Sequence, residues 1–120
     1  MKLKNRIVLV DFDGTIVDHD FPEIGEAMPQ AFEVMKKLQE VGALLVLWTC
    51  REDEKRKYLT EAVEFCRKNG IEFHSVNEVP IENDFREGDL RRKPHASVVI
   101  DDRNLGGFPG WDEVEKLLLK

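Results

Sequence analysis

An α/β fold built on a doubly wound parallel sheet is predicted by three features of this 120-residue chain. Short apolar runs without polar alternation recur, segments of helical periodicity lie between them, and Gly or Asn-Gly stands where the first two helices should stop. Arg6-Ile7-Val8-Leu9-Val10 is the first run, and its lack of alternation is how a strand buried on both faces reads. Ala31, Val34, Met35, Leu38 and Val41 then recur at helical spacing, and Gly42 supplies the left-handed residue that closes a helix. Leu44-Leu45-Val46-Leu47-Trp48 is the second buried strand. The stretch from Glu54 to Asn69 reads as a second helix with Leu59, Ala62, Val63 and Cys66 on one face, stopped by Asn69-Gly70. Ile71 to Val76 is predicted as a strand, Ser97-Val98-Val99-Ile100 as another. A closing helix carries Trp111, Val114, Leu117 and Leu118 on its buried face. Strands alternating with helices through right-handed crossovers give a parallel sheet with helices on both faces. No repeat or Ser/Gly/Pro-rich linker divides the chain, so residues 1–120 are expected to form a single domain.

Composition narrows the function. With 18 basic and 24 acidic residues the net charge is −6, which disfavours the counterion-releasing basic surface that nucleic-acid binding requires. The apolar run from Ala43 to Trp48 is far too short to span a bilayer, and the first residues lack a signal-peptide core, so a cytoplasmic protein with no membrane partner is expected. Cys50 and Cys66 have no CxxC spacing and no His cluster beside them. They read as reduced thiols, neither a zinc site nor a disulfide.

In an open parallel sheet the strand C-termini share one edge, and ligands bind there. The residues following the three most apolar runs are Asp11, Thr49 and the pair Asp101-Asp102, with Asp13 two positions beyond Asp11. Carboxylates so crowded repel one another unless a cation or a shared proton compensates. An all-oxygen set without paired His or Cys favours Mg²⁺, which keeps coordination positions for water and phosphate oxygens. Phosphoryl chemistry is the implied class. Gly14 permits a sharp reversal after the strand, and Phe12 should point away from the carboxylates and pack.

Asp11-Phe12-Asp13-Gly14-Thr15, Thr49, Lys93 and Asp101-Asp102 resemble, in order, the four motifs of the haloacid dehalogenase (HAD) superfamily, the first being its DxDGT signature. The resemblance implies a Rossmann-like core, Mg²⁺ dependence and an aspartyl-phosphate intermediate. Asp11 would be the nucleophile and Asp13 the general acid and base, Asp13 also offering its backbone carbonyl to the metal. Asp11, Asp13 and Asp101 form the expected metal set. Asp102 either orients metal-bound water or caps the next turn. Thr49 would donate its hydroxyl, together with a neighbouring backbone N–H at Cys50, to phosphoryl oxygens. Cys50 itself lacks a base and is not read as a nucleophile. Lys93 would neutralise the phosphate; it stands closer to the last strand than in larger members, so Arg91 or Arg92 competes for that role. Arg51 either forks onto a substrate phosphate or carboxylate or caps nothing and faces water.

Neither the gap after Gly14 nor that from Asn77 to Arg92 accommodates a cap domain, so a capless enzyme is expected. The substrate would be a small phosphorylated metabolite, such as a sugar phosphate or nucleotide, and a small homo-oligomer would close the site. Two alternatives share these residues: a phospho-acceptor domain of the receiver type, and a catalytically inactive scaffold of the HAD fold. Receivers place the acid pair after the first strand and the acceptor Asp after a middle one. Here the pair comes last and the middle strand ends in Thr49, while the presence of both Asp11 and Asp13 weighs against a scaffold.

Overall fold

Four parallel strands in the order β3-β2-β1-β4 carry the site, with β1 (Ile7–Val10) central between β2 (Leu44–Leu47) and β4 (Val98–Ile100) and with β3 (Ser75–Val76) at the edge. The structure is a computed structural model and describes residues 2–79 and 96–120. The pleat explains why β1 reads as continuously apolar: Val8 and Val10 face one side, Ile7 and Leu9 the other, and all four are buried.

Val8 and Val10, with Leu45 and Leu47 beside them, form the floor on which the buried faces of α1 (Ala31–Glu40), α2 (Tyr58–Lys68) and α3 (Trp111–Leu119) pack. Ile7, Leu9 and Val46 make a smaller cluster on the opposite face, covered by Trp48, Val79 and Ala96 among others. All three described helices pack on the first face, and residues 80–95 of the β3–β4 connection lie outside the described residues. Among the described residues no helix is long and apolar enough to cross a membrane.

The elements depart from expectation at their ends, for identifiable reasons. Helix α2 begins at Tyr58 and not at Glu54, because Asp53 accepts the N–H groups of Leu59 and Thr60 at 3.0 Å each and the Thr60 hydroxyl at 2.6 Å. That carboxylate caps the first turn from outside and holds its lead-in as a loop. Of Ile71–Val76 only Ser75 and Val76 pair as a strand; Ile71 is buried beneath the helices. Val41, expected in the core, is 47% exposed, since α1 ends at Glu40 and the chain reverses through Gly42 at φ 94°. Leu117 is likewise exposed: Trp111, Val114 and Leu118 sit at i, i+3 and i+7, and position i+6 falls off that stripe.

Candidate active site

The chain runs outward from β1 through β2 to β3 and then returns to lay β4 on the other side of β1. The switch point therefore lies between β1 and β4, where an open α/β sheet forms its ligand crevice. Asp11 and Asp101 leave these two strands side by side, and the Asp11 N–H continues the ladder to the Ile100 carbonyl at 2.9 Å. Carboxylate oxygens of Asp11, Asp101 and Asp102 lie within 4.8 Å of one another. Asp102, expected either to orient a metal's water or to cap a turn, is a full member of this trio. It is Asp101 that makes the turn contact, accepting the Arg103 N–H at 2.9 Å.

Crowding sets the electrostatics. Burial pushes the Asp11 carboxyl up to about 7, and the neighbouring charges of Asp101 and Asp102 add to the effect. Asp102 moves the other way: burial alone would raise it, but hydrogen bonds from His19, Asp101 and Asp11 outweigh this and hold it below the usual carboxylate range. Of these two carboxyls Asp11 is thus the one disposed to hold a proton.

Around the trio opens a cleft of about 690 Å³, whose walls include Asp13, Trp48, Thr49, Arg51 and Asn77. The Thr49 N–H donates to the Asn77 side-chain oxygen at 2.7 Å, while its hydroxyl accepts the Arg51 backbone N–H at 3.2 Å. The hydroxyl's own proton is left to donate into the cleft. Exposed Cys50 lines the same wall, and Cys66 is buried, its thiol pushed up to about 12 by burial; both are free.

Asp13, expected to reach a metal through its backbone carbonyl, keeps its carboxylate apart from the trio; both of its oxygens are held by Arg51, at 2.8 Å each. Arg51 in turn is not a substrate fork. It is buried, and its remaining N–H groups go to the carbonyls of Pro22, Glu23 and Tyr58. Lys93 and its competitors Arg91 and Arg92 lie outside the described residues.

His19 and Asn77 are site residues that the motifs do not contain. His19 sits on a short flap joining Gly14 to α1, closed by the Asp18 N–H on the Glu26 carbonyl and the Met28 N–H on the Ile16 carbonyl, each at 2.8 Å. Its Nε2 lies 2.6 Å from Asp102 Oδ2. This pair packs directly on Gly14, where φ is 85° and a Cβ would collide with both Asp102 Oδ2 and His19 Nε2. Gly14→Ala should therefore destabilise the protein by about 2 kcal/mol from backbone strain alone. Equilibrium denaturation will read this, and an unchanged midpoint would refute the geometry.

No protein-family profile and no curated protein matches the chain. Among solved structures it is similar to a conserved protein from Bacteroides thetaiotaomicron, at 42% identity and a TM-score of 0.82, over 96% of this chain and 90% of that one. Likeness at that identity over nearly the full length of both proteins is shared descent, and the chain belongs to the same family as this conserved Bacteroides protein.

Proposed function

We propose that the chain is a capless, HAD-type, Mg²⁺-dependent phosphomonoesterase that hydrolyses a small phosphorylated metabolite through an aspartyl-phosphate on Asp11. The observation that carries this reading is the meeting of Asp11 and Asp101 at the sheet's switch point, with the Thr49 hydroxyl in the same cleft. The trio fits the metal by donor chemistry: three carboxylates, no nitrogen or sulfur, and oxygens close enough to share one ion. Asp11 and Asp101 would hold it with the Asp13 backbone carbonyl, and Asp102 stands beside them. Bound there, Mg²⁺ would polarise a phosphoryl oxygen and offset the negative charge that otherwise keeps a phosphate out of an acidic cleft.

The chain's own residues supply the rest. A carboxylate oxygen of Asp11 attacks phosphorus opposite the leaving alcohol, forming the acyl phosphate. Asp13 gives a proton to the departing oxygen and takes one from the water that later cleaves the intermediate. Thr49 donates to a phosphoryl oxygen as charge builds on it. The Asn77 side chain fixes the turn that aims Thr49.

The test is phosphate release from sugar phosphates, nucleotides and an aryl phosphate. Turnover is expected with Mg²⁺, loss in EDTA, and recovery on adding Mg²⁺ back. Calorimetric titration should show one Mg²⁺ site that Asp101→Asn removes. Absence of turnover on every compound, or turnover indifferent to EDTA, would overturn the reading.

A further inference from the structure

Arg51 is a guanidinium with no donor to spare. Its side chain is 1% exposed. Nε and Nη2 fork onto the two oxygens of Asp13 at 2.8 Å each, and Nη2 also reaches the Glu23 carbonyl at 2.9 Å. Nη1 faces the carbonyls of Pro22 and Tyr58 at 3.5 and 3.4 Å, which engages all five N–H groups. The group also lies over the rings of Phe12 and Phe21, their centroids 5.0 and 5.1 Å from Cζ. Three segments thus hang on one cation: the Asp13 turn, the flap and the start of α2.

A purely structural part would be filled at least as well by an apolar side chain, because desolvating an ion pair cancels most of its attraction. What the fork provides and a hydrocarbon cannot is the fixed plane of the Asp13 carboxyl, which opens on the cleft. Resting on the phosphatase reading, we propose that Arg51 is a positioning residue that holds Asp13 for proton transfer to the leaving alcohol.

Each Asp13 oxygen accepts one N–H from Arg51 and keeps a second lone pair for a proton. As the Asp11–phosphorus bond forms and the ester P–O bond breaks, the Asp13 proton passes to the ester oxygen and the alcohol leaves. The carboxylate left behind is the form the guanidinium fork matches. In the second half Asp13 takes a proton from water as that water's oxygen bonds phosphorus, releasing phosphate and the Asp11 carboxylate.

An acid matters in proportion to how badly the leaving group needs its proton. The experiment compares kcat/KM, which covers steps through alcohol departure, for an alkyl phosphate and for p-nitrophenyl phosphate, with Mg²⁺. Arg51→Lys keeps the charge and loses the fork. It is expected to lose at least about tenfold more on the alkyl ester than on the aryl one, a part of the 10²–10⁴ that general acids contribute. Equal loss on both would mark Arg51 as merely structural and overturn the proposal. In an Asp13→Asn background Arg51→Lys should change alkyl turnover by less than about twofold, and additive losses would also overturn it. Should Arg51→Lys not fold, Phe21→Ala strips a ring that is 56% exposed from the guanidinium. It should bias turnover in the same direction, and equal losses again refute. Failure of the phosphatase reading itself shows first and separately, as wild-type protein inactive on both esters.

Discussion

Asp11→Asn is expected to cut phosphate release by at least about 10³-fold and at the same time to make the metal-free protein harder to unfold above pH 7. The first effect follows from removing the attacking oxygen while keeping the side chain's shape. The second follows from what the carboxyl endures in the fold. In the unfolded chain it titrates near 3.8, whereas in the native cleft burial and the Asp101 and Asp102 charges raise it to about 7. A raised carboxyl contributes its full share of stability below pH 3.8 and loses it as pH climbs through 7. Glu61, Glu72, Glu115 and Asp53 shift downward instead, so their contributions vary only at and below the ordinary carboxylate range, outside this window. Between pH 5 and 8 the metal-free wild type should therefore lose thermal stability while the Asn variant should not. Water reaching the cleft screens the trio, so the difference at pH 8 is held to about 1 kcal/mol, or roughly 5 °C in Tm. Mg²⁺ should flatten the wild-type slope and leave the variant's alone. A variant that keeps turnover would dismiss Asp11 as nucleophile; a wild-type Tm rising from pH 5 to 8 without metal would dismiss the crowding itself.

The fold was legible because it is driven by burial, and burial writes a local signature. Runs such as Ile7–Val10 and Leu44–Leu47 are apolar at every position, and a strand covered on both sides has no other way to read. The carboxylate trio was legible by the same route, since the strand-end rule needs only the end of each run. Applied to Val76 as it was to the three most apolar runs, that rule names Asn77, whose side chain fixes Thr49 and whose φ of 52° suits Asn. The weaker apolarity of Ile71–Val76 hid it. Two features had no local signature. His19 reaches Asp102 only because the flap folds back across Gly14, and Arg51 meets Asp13 only because both turns emerge on one sheet edge. A charged residue two places beyond a strand reads as solvent-facing unless the partner that buries it is known, which is why Arg51 was expected to reach for substrate or face water.

Trp111 should prove the largest single support of the site outside it. Its ring is buried at the start of α3, edge-on to Phe108, and its Nε1–H donates to the Thr15 carbonyl at 2.8 Å across the domain. Thr15 is fully buried, and its hydroxyl lies 3.3 Å from Asp11 Oδ2. Trp111→Ala removes the ring and the donor together and should destabilise by about 4 kcal/mol, a large fraction of what a domain of this size possesses. Trp111→Phe separates the parts: it fills most of the space but leaves the Thr15 carbonyl buried without its partner, at a cost of about 1–3 kcal/mol. Because that carbonyl belongs to the turn carrying Asp11 and Asp13, the Phe variant should also lose turnover per folded molecule, by about tenfold for a displacement well under an ångström. Leu38→Ala, an equally buried cut in α1 far from the turn in sequence, should match or exceed the stability loss and leave turnover of the folded fraction intact. Denaturation midpoints and active-fraction kinetics on the three variants decide the matter. If Trp111→Phe and Leu38→Ala behave alike, the bond to Thr15 holds the fold together and nothing more; if only the Phe variant loses turnover, the last helix fixes the nucleophile's turn through one indole N–H.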